Sequence, residues 1–438
     1  MPVAQKGEAC RDSRIRRAGT DASGAGLEEL KYAPSPLIRW EASKASSMAL
    51  TAYLDLLSQN LTRFQCNEVH PVCGSCQRHN VPCVYTNTGI KAPIEHEPQS
   101  TVKAPLERDP THSDIVRPES EERRLLELRL LHQWMTKSGL SFPGCHDKFF
   151  RDAMILSIPN KAMRHPAYLY TIFAFSAIHI ARSSTSPSER REFMDSHHLY
   201  LDLALQEHRR DIENLGQDNA DAVCITSSLI RNCMQAEVQD RPLHPYSPPS
   251  QWLHMMQGSG DVFKTAWDWV GEDTDSLARI IAKSGPDLTN FAEMFSSANR
   301  EPFSHLLHRS PEDEANEPWD LQIQEAYERP VCYIGGIHIA LNKGEEASHT
   351  FRRLLAFPMF VPKLYIKLIE ERRPRALVVL AHFFAFLAGP RDLWWVGDTG
   401  RREIRAISSV LEGKWAEMLD WPLAAMEVKI DLPPWEYN

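Results

Sequence analysis

From about residue 119 onward, apolar side chains recur every three or four positions, the spacing that places them on one face of a helix. Leu125, Leu126, Leu128, Leu130, Leu131 and Trp134 follow an acidic start at Glu119 to Glu122. Carboxylates favour a first turn because they complement the unpaired amide N–H groups there. A second helix is predicted from about His165 to Arg182, with Tyr168, Ile172, Phe175, Ile178 and His179 at helical spacing. A third runs from about Pro187 to Ile212, where Phe193, Leu199, Leu203 and Leu205 alternate with charge. Pro166 and Pro187 stand near the predicted starts, where a missing N–H removes no hydrogen bond. Strand-like alternation is nearly absent, so the fold class is all-α. The longest apolar stretch, Ala376 to Ala388, is interrupted by His382 and falls short of the roughly 20 residues a membrane span needs.

Ahead of this helical region the periodicity stops. Residues 86–118 are polar and proline-bearing and read as a linker. Before them lies a run with different chemistry, in which Cys66, Cys73, Cys76 and Cys83 are spaced C-x6-C-x2-C-x6-C. Thiolates this close in sequence can converge on one metal ion, and zinc suits a soft sulfur set. Gly74, Ser75 and Pro82 are turn residues of the kind a metal knuckle uses. His70 and His79 lie inside the run and read as solvated loop residues, with service as substitute zinc ligands the alternative.

The run resembles the last two-thirds of the fungal Zn2Cys6 binuclear cluster, a DNA-binding module. Two further cysteines are expected just upstream, where Leu61, Thr62, Arg63, Phe64 and Gln65 stand instead. The family's first half, C-x2-C-R-x-R-R/K, has a counterpart at Cys10-Arg11-Asp12-Ser13-Arg14-Ile15-Arg16-Arg17, with Ser13 in place of the second cysteine. Removing residues 18–63 would join Arg17 to Phe64 and restore the family's six-residue spacing between Ser13 and Cys66. Residues 18–63 are therefore read as an insertion, of the kind an unspliced intron in a gene model produces. The other reading makes Cys10 an ordinary thiol in a disordered N-terminus. The resemblance implies that Cys10 and Cys73 bridge two zinc ions, that Cys66 completes one site, and that Cys76 and Cys83 complete the other. Ser13 is a poor substitute because an un-ionised hydroxyl lacks the thiolate's charge and softness. The resemblance also implies DNA contacts. Arg16 and Arg17 match the positions that contact CGG-type half-sites, Arg14 lies near for a phosphate, and Arg63 alone remains next to Cys66.

The helical region resembles the regulatory domain of fungal zinc-cluster regulators, especially the group of the sterol uptake control protein. The matching stretches are L-R-L-L-H-Q-W-M-T near Leu130, H-P-A-Y-L-Y-T-I-F-A-F-S-A-I-H-I-A at His165, W-L-H-M-M-Q-G at Trp252, and the segment from Arg372 through W-W-V-G. This resemblance covers roughly residues 119–425 and implies a sensing or regulatory role, with a small apolar ligand in some members. The domains expected are residues 1–65 (a disordered or inserted N-terminus carrying the displaced half-cluster at 10–17), 66–85 (the remaining zinc-cluster half), 86–118 (linker) and 119–438 (helical regulatory domain).

Composition sets further bounds. With 49 basic and 58 acidic residues the net charge is −9, so nucleic-acid binding has to come from a local basic patch. Cys145, Cys224, Cys233 and Cys332 are scattered and read as buried thiols. No apolar leader opens the chain and no membrane contact is expected. The linker carries no heptad run, so dimerisation has no support. No hydrolase, metalloprotease or nucleotide-binding motif is present, and Gly258-Ser259-Gly260 reads as a lone turn. His197, His198 and His208 lie near acidic residues on one predicted helix and read as a solvated face, with ligand or general-base roles the alternative. Trp394, Trp395, Phe383, Phe384 and Phe386 read as core packing rather than a ligand pocket. The acidic–aromatic stretch from Glu312 to Leu321 reads as a solvated loop, although activation segments share its composition.

The function these readings imply is non-enzymatic: a nuclear, zinc-dependent, sequence-specific regulator of RNA polymerase II genes in a fungus, bound to double-stranded DNA with CGG-type half-sites. The alternative is a regulatory or ligand-sensing helical protein whose degenerate cluster no longer binds DNA.

Overall fold

The computed structural model describes residues 120–271 and 273–430, and among these no strand is present. The longer helices are α1 (Glu121–Gln133), α2 (Pro166–Ser183), α3 (Pro187–Glu213), α4 (Ala220–Val238), α5 (Ser250–Val270), α6 (Leu321–Asn342), α7 (Ala347–Phe360), α8 (Lys363–Glu370), α9 (Pro374–Leu387) and α10 (Thr399–Ser408). The all-α expectation holds. Helices α2 and α3 both carry proline in their first turn, as read from the sequence. Ser120 caps α1 by accepting from the Arg123 amide at 3.2 Å. Only part of the α1 leucine pattern faces inward. Leu130 and Trp134 are fully buried, whereas Leu125 and Leu128 lie off that stripe and stay exposed.

Helix α9 organises the fold. All of its side chains from Arg375 to Leu387 are buried, so it is apolar round its circumference and has to be enclosed. Helices α6, α7, α8 and α10 and a 3-10 segment (Ser297–Leu307) pack against it. Phe383 stacks on Phe357 of α7 with centroids 4.0 Å apart, and the Tyr365 hydroxyl donates to the Ala376 carbonyl at 3.0 Å. Elsewhere, α2 and α3 are joined by a short turn and pack against each other, with α4 and α5 following.

Gly258-Ser259-Gly260 is not a turn. It is buried within α5. A Cβ on Gly260 would come within 3.1 Å of Met359, so the small residues let α5 approach α7 closely. A tighter approach occurs at Gly335 in α6, where a Cβ would sit 1.8 Å from the Asn299 carbonyl oxygen.

The acidic–aromatic stretch is neither a solvated loop nor a free segment. Its first part is a short helix (Pro311–Asn316) with a capping box between Ser310 and Asp313. Asp313 and Glu317 fold back onto Arg375, which is 1% exposed, while Glu312, Glu314 and Asp320 stay exposed. The Arg375 guanidinium donates to both Glu317 oxygens at 2.9–3.1 Å and to the Leu306 and His308 carbonyls at 2.6 and 3.0 Å. Asp313 is paired with Lys414. Burial pushes the Asp313 carboxyl up, but the Lys414 and Ser310 hydrogen bonds outweigh it and hold it at about 2. Trp319 stacks on Tyr327 at 5.5 Å, and the Arg309 guanidinium sits over its ring at 4.7 Å. The composition suggested solvent because the cations that neutralise it lie far away in sequence.

Two outcomes follow for stability. Gly335→Ala should lower the unfolding free energy in urea by about 1–3 kcal/mol, while Gly216→Ala, which meets nothing within 4 Å, should stay near wild type. Arg375→Ala strands partly buried Glu317 and buried Asp313 and should cost about 3–5 kcal/mol. The Arg375→Met/Glu317→Gln double variant should lose clearly less than the sum of the single changes.

Candidate functional site

The residues that carry the zinc and DNA expectations are Cys10, Cys66, Cys73, Cys76, Cys83, Arg14, Arg16, Arg17 and Arg63. All lie outside the described residues. The domain boundaries at 65, 85 and 118 lie there too.

The remaining cysteines can be placed. Cys145, Cys224, Cys233 and Cys332 are free and buried, as expected. Burial pushes the Cys145 thiol up to about 12 and that of Cys332 to about 11, and it raises Cys224 and Cys233 as well. Thiols held protonated in this way are poor zinc ligands.

The histidines of α3 do not form a solvated face. His197 and His208 are fully buried and His198 is half-buried. They share the inward stripe of Phe193, Leu201, Ala204 and Ile212, so helical position overrides the charged neighbours. His208 Nε2 lies 2.8 Å from the Ser227 hydroxyl of α4, and burial lowers its pKa to about 3. Burial likewise lowers His179 and His382 to about 4. His197 and His198 gather with Glu237 of α4, all their ligand atoms lying within 4.8 Å of one another. Beside them, burial and then the Glu237 charge push the Asp202 carboxyl up to about 7.

The aromatic residues named from sequence are core, as expected: Trp395, Phe383, Phe384 and Phe386 are buried. Trp394 is half-buried and stacks on His179 with centroids 4.1 Å apart. None of them lines the cavity of about 460 Å³ where α5, α6 and α7 meet, whose wall mixes Phe291 and Phe360 with Asp261, Lys264, Glu325 and Arg329. Charge that dense is not the lining a small apolar ligand selects. Sequence reasoning did not find this cavity, because its residues come from separate helices without a local motif. No helix among the described residues is long and apolar enough to cross a membrane.

Comparison with known proteins supplies the rest. The family model for the fungal Zn(2)-Cys(6) binuclear cluster domain, a zinc-binding domain, matches residues 61–89. That span takes in Arg63, Cys66, Cys73, Cys76 and Cys83 and leaves residues 10–17 outside. A Zn(2)-C6 fungal-type transcription factor of Aspergillus fumigatus is 32% identical over 336 residues, covering 76% of this chain and 84% of that protein. Another, of Gibberella zeae, is 26% identical over 429 residues and covers 82% of both chains. Both alignments are too long to stop at the cluster and include helical sequence. Sterol uptake control protein 2 of Saccharomyces cerevisiae is 20% identical over 283 residues, 60% of this chain but 28% of that protein.

The buried histidines generate a pH dependence. Unfolded, His208 takes up its proton near pH 6.5, as an ordinary histidine does; folded, it resists until about pH 3. Between those values the unfolded state holds the extra proton, so stability falls as pH is lowered through the window. Urea unfolding of His208→Gln should show a shallower loss below about pH 6.5 than wild type.

Proposed function

This chain belongs to the Zn(2)-C6 fungal-type transcription factors, DNA-binding regulators of transcription, and on that premise we propose that it acts in the nucleus as a zinc-dependent, sequence-specific regulator of RNA polymerase II genes. The observation that carries this reading is the four-cysteine run inside the matched residues 61–89. Cys66, Cys73, Cys76 and Cys83 supply enough thiolates to surround one zinc ion tetrahedrally. Paired as in the binuclear cluster, both sites need Cys10 as a bridge with Cys73: Cys76 and Cys83 complete one, while the other, with Cys66, lacks the ligand that Ser13 replaces. A module this small has almost no apolar core, so metal binding drives its folding. Arg16 and Arg17 are assigned to guanine O6 and N7 of a CGG-type half-site, and Arg14 and Arg63 to phosphates. The helical region then governs when the bound protein acts.

One observation favours a second reading. The family match begins at residue 61, behind the segment 10–17 that would complete the cluster. On that reading the helical region regulates without touching DNA.

Fluorescence anisotropy of the full chain on a CGG duplex and on one changed in a single base pair separates the two. The first reading expects a loss of about 1–3 kcal/mol for the changed pair and complete loss of specific binding in Cys73→Ser. It also expects the slope of log affinity against log salt to fall by about one in Arg63→Ala. Equal binding to both duplexes, or none to either, decides for the second reading.

A further inference from the structure

We propose that His197, His198 and Glu237 form a binding site for a zinc-class divalent cation within the helical region, distinct from the cysteine run. The inference rests on side-chain geometry alone and stands whether or not the chain binds DNA.

Consecutive residues on a helix point about 100° apart, so adjacent histidines ordinarily diverge. Here the ring centroids of His197 and His198 are 5.3 Å apart, and one carboxylate on α4 reaches both. Glu237 Oε1 lies 2.9 Å from His197 Nε2 and 3.7 Å from His198 Nε2. A tetrahedral ion with bonds of about 2.1 Å separates its ligand atoms by about 3.4 Å. The two observed distances bracket that edge, so small side-chain adjustments complete the set.

The orientation of His197 supports the same conclusion. Its Nδ1 lies 2.8 Å from the Ala174 carbonyl of α2, which can only accept, so Nδ1 carries the hydrogen. Nε2 is then the nitrogen that faces Glu237 at 2.9 Å; it donates to that carboxylate, and an ion taking the place of this hydrogen would meet its lone pair. Metal-bound histidines are held in this way, with the outer nitrogen donating to a carbonyl that fixes the ring. Burial is graded across the group. The His197 side chain is 0% exposed, Glu237 19% and His198 36%, which leaves a route from solvent on the His198 side.

Asp202, one turn beyond His198, lies outside that set of three but close enough to feel the Glu237 charge. Its Oδ1 is buried without a hydrogen-bond partner. Two carboxylates sharing a half-buried space are unfavourable without a cation between or beside them. Two imidazoles with carboxylate oxygens suit zinc and its first-row neighbours, whereas calcium and magnesium favour all-oxygen shells. Such an ion would tie α3 to α4 and, through Ala174, to α2, so the stability of this flank would follow metal supply.

The test uses the full chain, stripped with a chelator and reloaded with zinc or cobalt. Metal per chain and thermal midpoint are measured for the parent, Cys73→Ser/Cys76→Ser, His198→Ala and Glu237→Gln. Expected is one equivalent that persists in the cysteine variant, raises the midpoint, and disappears in both His198→Ala and Glu237→Gln. Cobalt held there should lack the intense near-ultraviolet bands of thiolate coordination. Half-exposed His198 is the decisive position, since its truncation leaves the buried His197 contacts in place. If His198→Ala keeps the parent's metal content and metal-dependent midpoint, the proposal is wrong. A lower midpoint in Glu237→Gln with metal content unchanged would likewise make the group an ordinary histidine–carboxylate hydrogen bond.

Discussion

Enclosing α9 is the requirement on which the rest of the described structure depends. A helix that is apolar round its circumference has no acceptable contact with water, so neighbours must cover each side. Arg375 complicates that demand by placing a permanent charge in the first buried turn. A buried guanidinium is tolerable only when its donors are paired and its charge offset. Glu317 and the Leu306 and His308 carbonyls do this, and to reach Arg375 they draw residues 306–317 over that end of the helix. Lys414 and Asp313 then tie a later segment to the same place. Apolar enclosure and ion pairing thus determine one arrangement together.

How much of this was legible in the sequence depended on whether the signal was local. The starts of α2 and α3 could be read because a proline in the first turn acts within that turn. The buried thiols and the aromatic core could be read because few alternatives exist for such side chains in long apolar runs. His197 and His208 were misread. Acidic neighbours in sequence suggested solvent, but the stripe running from Phe193 through Leu201 to Ile212 carries both rings inward. Counting each histidine's offset from the apolar residues would have placed them correctly. Gly258-Ser259-Gly260 was misread for the opposite reason: glycine punctuates turns, but here it lets two helices approach. Glu317 and Arg375 meet 58 positions apart, and nothing short-range in the chain signals that pairing.

The candidate site was legible on other terms. Zinc coordination needs several thiolates close in sequence and little else, so the spacing from Cys66 to Cys83 could be interpreted without knowing any packing. The relatives then connect that chemistry to transcription. The group at His197, His198 and Glu237 is the reverse case. Its members lie on two helices, and only the packed structure brings them within reach of one ion.

The docking of the acidic stretch bears on how fragments of this protein should be interpreted. Excised as a peptide and fused to a reporter, the segment from Glu312 to Leu321 would display carboxylates and a tryptophan to any partner that favours acidic, aromatic chains. In the folded chain the key ones are occupied, Glu317 and Asp313 by Arg375 and Trp319 by Tyr327 and Arg309, although Glu312, Glu314 and Asp320 face solvent. Activation by such a fragment would report the composition of a released peptide. The intact regulator keeps Asp313, Glu317 and Trp319 engaged against Arg375, Arg309 and Tyr327.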